Sequence, residues 1–251
     1  MNAAASLLLT TVIIAVLAAA AWWALRNPVF AIRGITVTGD TGHNSPATLQ
    51  AAVAKRVRGN FFTLDLSDVR RAFEALPWVR TAVVQREFPD RLSVRLLEHV
   101  PVARWGAQSG QLLGESGDVF AMSDPGEAGA DLPLLQGPDG QAALVLQVYH
   151  DLGPAVASLG TTIAGLELQP RGHWTLTLAP DAKIELGQGT PAELTERFAR
   201  FAETVGTVAA RHGRTARDIE SADLRYHSGY AVRLQGVNTL TAPPPGTKTG
   251  R

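Results

Sequence analysis

Residues Leu7–Leu25 read LLLTTVIIAVLAAAAWWAL, a run that contains no charged residue, proline or glycine. As an α-helix this run would extend about 28 Å, close to the ~30 Å thickness of the hydrocarbon core of a bilayer. Trp22 and Trp23 lie where aromatic side chains commonly anchor a helix at the membrane surface, and Arg26 ends the apolar run. The sequence therefore predicts a transmembrane helix over residues 7–25.

A cleaved signal peptide is the alternative interpretation of this run, because the small residues Ala18–Ala21 follow an apolar core. A signal peptide also needs a basic segment before its core, and residues 1–6 contain no lysine or arginine. Basic residues occur only after the run, which by the positive-inside rule would keep the rest of the chain inside the cell. Large domains, however, cross membranes largely regardless of flanking charge.

Composition argues against several classes of function. The chain has 251 residues, with 23 Lys and Arg balanced by 23 Asp and Glu, and its pI is near 7.0. This balance makes nucleic acid an unfavourable partner, because nucleic-acid affinity depends on an excess of basic residues. The chain has no cysteine, which excludes disulfides, thiolate catalysis and cysteine-bound metal.

Residues 27–100 have the pattern of a compact α+β module. Alternating residues predict a first strand that stops at Gly39, and a first helical pattern then runs up to Gly59. A second helical pattern begins near Ser67, and two alternating strands close the module around a turn at Pro89-Asp90. We expect a three-stranded sheet with two helices on one face. The residues expected on buried faces are Ile35, Val37, Leu49, Val53, Val57, Val69, Phe73, Leu76, Ala82, Val84, Phe88, Leu92, Val94 and Leu96.

Residues 101–237 alternate strand patterns with two amphipathic helices. The first helix carries Leu144, Val148 and Leu152 and is interrupted at Gly153-Pro154. The second helix has a capping-box start at Thr190 and a buried face made of Leu194, Phe198, Phe201, Val205 and Val208. Strands are predicted in a hairpin over Gln111–Ala121, at Trp174–Leu178 and Lys183–Leu186, and in two strands within Ala222–Leu234 that turn near Ser228-Gly229.

The last predicted strand leaves the sheet with an edge, because residues 238–251 are rich in proline, glycine and threonine and lack any periodicity. We expect those residues to form a disordered tail. The exposed edge of a sheet presents unpaired N–H and C=O groups, which can pair with a strand from a partner.

No catalytic, cofactor-binding or metal-binding constellation emerges from the sequence. The six histidines are scattered, and neither Ser109 nor Ser116 lies in a nucleophile elbow. Gly187–Ala192 has the form GxGxxA but lacks the acidic strand-end residue of a dinucleotide site, and a capped helix start explains it. Glu98 is interpreted as an exposed polar residue or an interdomain hydrogen-bond partner.

Five short runs carry a family resemblance through their order and spacing. The resemblance is to the FtsQ/DivIB family of bacterial cell-division proteins, and residues 27–100 resemble a POTRA domain. The runs are Gly34–Gly39 (GITVTG), Gly59–Asp65 (GNFFTLD), Leu76–Val79 (LPWV), Phe88–Leu92 (FPDRL) and Glu98–Trp105 (EHVPVARW).

The resemblance implies an α+β fold in a single-pass inner-membrane protein without enzymatic activity or cofactor. It implies a cytoplasmic segment at residues 1–6, a transmembrane helix at 7–25, a periplasmic POTRA domain at 27–100 and a β-rich FtsQ-type domain at 101–237. The implied function is that of a divisome scaffold at the septum, which binds FtsB and FtsL and helps regulate septal peptidoglycan synthesis. The alternative function is a translocation or outer-membrane assembly factor, because such proteins also carry POTRA domains.

By the same resemblance, the terminal strand receives a strand from FtsB, and seven residues are expected to bind this partner. The alternative is that these residues only complete the domain's own sheet. The expected partner-binding residues are Arg225, Tyr226, Ser228, Gly229, Tyr230, Val232 and Leu234.

Overall fold

The fold is taken from a computed structural model of the chain. It divides into two compact units, Met1–His99 and Val100–Arg251, and each unit has its own hydrophobic core. The residues that the structure describes are 2–26, 30–54, 60–106, 110–122, 129, 131–226 and 229–237.

The chain begins with helix α1, Asn2–Arg26. Its segment Ala4–Trp23 is long and apolar enough to cross a membrane, with a mean hydropathy of 2.4, and none of that segment is buried inside the protein. The two threonine hydroxyls of the segment donate hydrogen bonds to carbonyls one turn earlier, at 2.8 and 2.9 Å. Their polar groups are thus satisfied within the helix. These properties are consistent with a single transmembrane span.

The first unit contains the predicted strand–helix–helix–strand–strand order. Its sheet has the order β1-β3-β2, in which β1 is parallel to β3 and β2 is antiparallel to β3. The elements after α1 are β1 (Gly34–Gly39), α2 (Pro46–Ala54), α3 (Leu66–Glu74), β2 (Val79–Glu87) and β3 (Arg91–Glu98).

The core of this unit lies between α3 and the sheet. Phe73 on α3 and Leu92 and Leu96 on β3 are fully buried, as their periodicity predicts. The prediction for Phe88 was wrong, because β2 ends at Glu87 and the Phe88 side chain is 72% exposed. The alternation of side chains between the two faces of a sheet holds only within a strand. Phe88 lies in the turn after β2, so the alternation does not predict its burial. The predicted positions Val57 and Gly59 lie outside the described residues.

Glu98 is not exposed, contrary to the first of the two expectations. Its side chain is 7% exposed and accepts hydrogen bonds from residues of the first unit. Asn44 Nδ2 donates to Glu98 Oε1 at 2.7 Å, while the His43 backbone N–H donates to Oε2 at 3.3 Å. The His43 ring is also within 2.9 Å of Oε2 and stacks on Trp78 at 3.8 Å. Glu98 therefore fastens the loop after β1 to the end of β3.

The second unit is built on a nine-stranded sheet in the order β12-β11-β10-β9-β8-β7-β4-β5-β6. Helix α4 contacts β7, β8 and helix α5, and α5 contacts β10. The elements are β4 (Pro101–Trp105), β5 (Gln111–Gly114), β6 (Val119–Ala121), β7 (Leu134–Gln136), α4 (Ala142–Ser158), β8 (Ile163–Leu168), β9 (Trp174–Leu178), β10 (Ala182–Gly187), α5 (Pro191–Ala210), β11 (Ile219–Asp223) and β12 (Ala231–Leu234).

Helix α4 is longer than the sequence predicts, because it continues through Pro154 to Ser158 instead of stopping there. Proline leaves the carbonyl four residues earlier, that of His150, without its helical donor. Both His150 and Pro154 are exposed, so water can satisfy that carbonyl at little cost. Strands β4, β7 and β8 were also not predicted.

The start of α5 confirms the predicted capping box. Glu193 N–H donates to Thr190 Oγ1 at 3.4 Å, and the Thr190 N–H donates to Glu193 Oε2 at 2.8 Å. This hydrogen bond from Thr190 holds the pKa of Glu193 below its usual value of 4.5. The buried face of α5 ends on Ala209, whereas Val208 is only half-buried.

Replacing the cap should destabilise the second unit. Thr190→Ala removes the acceptor at the start of α5 and should lower the free energy of unfolding by about 1 kcal/mol. Chemical denaturation of the full chain, followed by tryptophan fluorescence, measures this change. Thr207→Ala is the matched control, because Thr207 is exposed within the same helix and alanine favours helix. Equal midpoints for the two variants would contradict the role of the cap.

Candidate partner-binding site

The candidate site is the edge of the nine-stranded sheet at β12. Among the described residues, β11 is the only strand that pairs with β12, so the predicted edge is confirmed for that part of the chain. The pairing is antiparallel and places Asp223 opposite Ala231 and Ala222 opposite Val232. A four-residue strand therefore ends the sheet.

The hydrogen-bond pattern shows which backbone groups of β12 face outward. The N–H of Leu224 donates to the carbonyl of Glu185 on β10 at 2.9 Å. Because N–H and C=O groups alternate sides along a strand, those of Asp223 point the other way, towards β12. Ala231 is thus bonded to β11, and Val232 turns its N–H and C=O to the open edge.

The side chains of β12 alternate between the two faces of the sheet. Leu234 is 5% exposed and belongs to the unit's own core, against which Val232 is also packed. Ala231 and Arg233 point to the opposite face, where Arg233 Nε lies 3.0 Å from a carboxylate oxygen of Glu220. The side chains of Val232 and Leu234 therefore pack against their own unit. These two expected partner-binding residues can contact a partner mainly through their backbone groups.

Tyr230 fixes the entry to β12. Its ring packs edge-on against Phe201 of α5, with centroids 4.9 Å apart and an interplanar angle of 87°. Its hydroxyl is 3.0 Å from Thr204 Oγ1, also on α5. An edge-to-face aromatic pair of this kind stabilises by about 0.5–1.5 kcal/mol beyond the buried area. The edge strand is therefore attached to the helix through a side chain that was expected to contact a partner.

A groove of about 430 Å³ lies beside Tyr230, between α5 and the segment that precedes β12. Tyr226, which is 61% exposed, lies on its rim. The groove brings together three of the expected residues with α5 side chains that were not predicted. Its lining consists of Arg197, Arg200, Phe201, Thr204, Leu224, Tyr226, Gly229 and Tyr230.

The α5 side chains of the groove could have been found from helical spacing. Arg197, Arg200 and Thr204 lie three and four residues apart, which places them on one stripe next to the buried face. Ser228, the remaining expected residue, lies outside the described residues.

Arg225 is held by its neighbour Asp223. Its Nε donates to Oδ1 at 2.9 Å and its Nη2 to Oδ2 at 2.5 Å, in a two-pronged pair. This hydrogen bonding lowers the pKa of Asp223 below its usual value of 3.8 and raises the pKa of Arg225. The guanidinium is thereby oriented before any partner arrives, although its side chain remains 55% exposed.

The GxGxxA run at Gly187 lies against arginine side chains. A side chain built at Gly187 would meet Arg225 Cγ at 2.9 Å and Arg197 Nη1 at 3.4 Å. Arg197 also donates to the carbonyls of Leu186 and Gln188. The run is therefore packed by arginine side chains. Within the described residues, no group of three or more His, Asp or Glu side chains could hold a metal ion.

The Asp223–Arg225 pair leads to a pH-dependent prediction. Because the pKa of Asp223 is lowered by folding, the pair stabilises the chain above pH 3.8 and this stabilisation is lost as the pH falls through the lowered pKa. Arg225→Gln should return the pKa of Asp223 towards 3.8, as measured by NMR titration of its carboxyl carbon. Asp218 is the control, because Thr215 lowers its pKa and should continue to do so. An Asp223 titration that Arg225→Gln leaves unchanged would contradict the assignment.

Comparison with known proteins gives relatives that match most of this chain. Cell division protein FtsQ of Burkholderia pseudomallei is 39% identical over 249 residues, which cover 99% of this chain and 97% of the relative. FtsQ of Thiomonas arsenitoxydans is 39% identical over 210 residues, 82% of this chain and 76% of the relative. FtsQ of Escherichia coli is 34% identical over 184 residues, 73% of this chain and 65% of the relative.

Two family models match the two units. The POTRA domain, FtsQ-type, matches residues 30–99, and the C-terminal domain of cell division protein FtsQ/DivIB matches residues 103–225. The second match ends at Arg225, so it covers β11 and not β12. Together with these relatives, the matches show that this chain belongs to the FtsQ/DivIB family of cell-division proteins.

Proposed function

We propose that the chain is a non-enzymatic scaffold of the divisome that binds FtsB- and FtsL-type proteins and helps regulate septal peptidoglycan synthesis. Its family supplies the role in cell division. The observation that carries the more specific proposal is the open edge of β12, next to a groove with exposed aromatic and basic side chains. The alternative role in translocation has no support from the relatives, which are named for cell division.

The proposed mechanism is strand addition. The outward N–H and C=O of Val232 can bond a strand of the partner, which extends the sheet by one strand. Backbone pairing supplies affinity without dictating the partner's sequence, so specificity must come from side chains near the edge.

Tyr226 and the oriented Arg225 supply that specificity in our proposal. A tyrosine that is 61% exposed offers a large rigid surface at low entropic cost, as interface anchors do. Arg197 and Arg200 give the groove a basic lining, although Arg200 is already paired with Glu196 at 2.7 Å. The partner segment should therefore combine an extended backbone with acidic and apolar side chains.

We also propose the topology. Residues 1–6 lie in the cytoplasm, α1 crosses the inner membrane, and the POTRA domain at 27–100 and the β-rich domain at 101–237 lie in the periplasm at the septum. The predicted tail at 238–251 lies outside the described residues. The apolar, unburied α1 and the division into two units support this arrangement. In cells, we expect a fluorescent fusion of the protein to concentrate at mid-cell. We also expect depletion of the protein to produce filamentous cells.

A proline at the edge tests strand addition. Val232→Pro removes an outward N–H that does not bond to β11, so the fold should persist. The amount of co-purified FtsB- and FtsL-type proteins should fall at least about tenfold, which corresponds to a loss of about 1.4 kcal/mol in binding free energy. Affinity purification from an envelope extract measures the co-purified amount, and circular dichroism reports the fold.

Val119→Pro is the matched control on the opposite edge of the same sheet. Gly114 N–H donates to the Asp118 carbonyl at 2.9 Å on β5–β6, so alternation turns the N–H of Val119 outward. Val119 is 41% exposed on the terminal strand β6, and its variant should keep the partners. Strand addition at β12 is refuted if a folded Val232→Pro chain retains its partners.

A further inference from the structure

We propose that an aromatic cluster of the first unit, Phe30, Phe61, Phe62 and Phe88, docks onto the surface of the membrane that α1 crosses. Its occupant would be the interfacial region of the bilayer, where aromatic side chains are favourable. Three features of the first unit, none of which involves the partner-binding edge, point to this contact. They are the exposure of the rings, their rigid support and the short length of chain that connects them to α1.

The cluster presents two large apolar side chains to solvent. Phe62 is 48% exposed and Phe88 is 72% exposed. Ring centroids connect the four residues in series, with Phe30–Phe62 at 5.1 Å, Phe61–Phe62 at 5.4 Å and Phe61–Phe88 at 5.9 Å. Phe61, which links the two exposed rings, is 9% exposed, so Phe62 and Phe88 form the exposed part of the cluster on either side of it. Large apolar side chains exposed close together mark interaction sites.

The backbone holds the cluster in place. The buried Asn60 accepts hydrogen bonds from the N–H groups of Phe62 and Thr63 at its Oδ1, both at 3.0 Å. Phe61 N–H donates to the Phe30 carbonyl at 2.8 Å. Arg86 Nε donates to the Phe61 carbonyl at 2.6 Å, which ties the same turn to β2. The exposure of Phe62 is therefore imposed by a hydrogen-bonded turn.

The cluster is within reach of the membrane surface. Phe30 follows Arg26, the last residue of α1, by four positions, which span at most about 14 Å whatever path residues 27–29 take. The polar region of one leaflet is about 5–7 Å deep. Phe30, and through ring contact Phe62, must therefore lie close to the membrane surface if α1 spans the bilayer. Trp22 and Trp23, near the same end of α1, are 59% and 64% exposed.

The described side chains at this end of the unit carry charges of both signs. Arg33 and Arg91 are exposed, but Glu87 and Asp90 lie beside them, and Arg33 Nε is 3.8 Å from an Asp90 carboxylate oxygen. The sequence adds four basic residues close to the cluster, namely Arg26, Lys55, Arg56 and Arg58. We therefore expect the aromatic rings to dock on zwitterionic lipid, and anionic lipid to strengthen this contact.

The experiment uses the absence of native cysteine, which allows a single spin label. Glu87→Cys places a nitroxide next to Phe88, and Asp40→Cys places one after the far end of β1, about 20 Å away along a six-residue strand. The full chain is inserted into phosphatidylcholine nanodiscs at one chain per disc. Electron paramagnetic resonance then compares the accessibility of each label to oxygen, which enters lipid, and to a nickel chelate, which stays in water.

The expected ratio of oxygen to nickel accessibility is several-fold higher at position 87 than at position 40. Phe62→Ser with Phe88→Ser should lower it to the value at position 40, and adding phosphatidylglycerol should not lower it. Both serines replace exposed side chains, so unchanged denaturation midpoints serve as the check of folding. Equal ratios at the two positions, or a high ratio that the serine pair leaves intact, would overturn the proposal. So would a label at 87 that is shielded only after envelope proteins are added, because the occupant would then be a protein.

Discussion

The packing of α5 against the end of the large sheet is the contact on which the second unit and its candidate site both depend. Phe201 is 1% exposed and lies 5.8 Å from Phe198 in the core. The same ring holds Tyr230 at the entry to β12. The aromatic contact that fills the core therefore also positions the edge strand, so core packing sets the geometry of the surface that we propose for recognition.

The sequence predicted those features that depend on neighbouring residues. The capping box of α5 is encoded within four positions. Strand β12 lies within the predicted segment Ala222–Leu234, whereas β11 begins at Ile219, three residues before that segment. Strand β7 has only three residues and pairs in parallel with β4 and β8, so its partners are distant in sequence. Such a strand is too short for the alternation of apolar and polar residues to be recognised. Its conformation is determined by tertiary contacts with the neighbouring strands.

Only part of the candidate site could be predicted, because the site combines residues that are close in sequence with residues that are distant in sequence. Tyr226, Gly229 and Tyr230 come from one continuous segment, whereas the groove also needs Arg197 and Arg200 from a helix more than twenty positions earlier. Glu98 shows the same limit, because its hydrogen-bond donors are 54 and 55 positions away. A single sequence identifies a polar residue at the end of a strand. It does not show which distant residue forms a hydrogen bond with that side chain.

The parallel pairing of β1 and β3 has a mechanical consequence. The chain enters β1 at Gly34 from the membrane anchor and leaves β3 at Glu98 towards the second unit. Tension along the chain would pull these neighbouring strands from opposite ends. Their paired residues, from Gly34–Arg91 to Gly39–Leu96, would then be loaded together in shear instead of being unzipped one after another. The first unit is thus arranged to transmit force between an anchor and a tethered domain without opening.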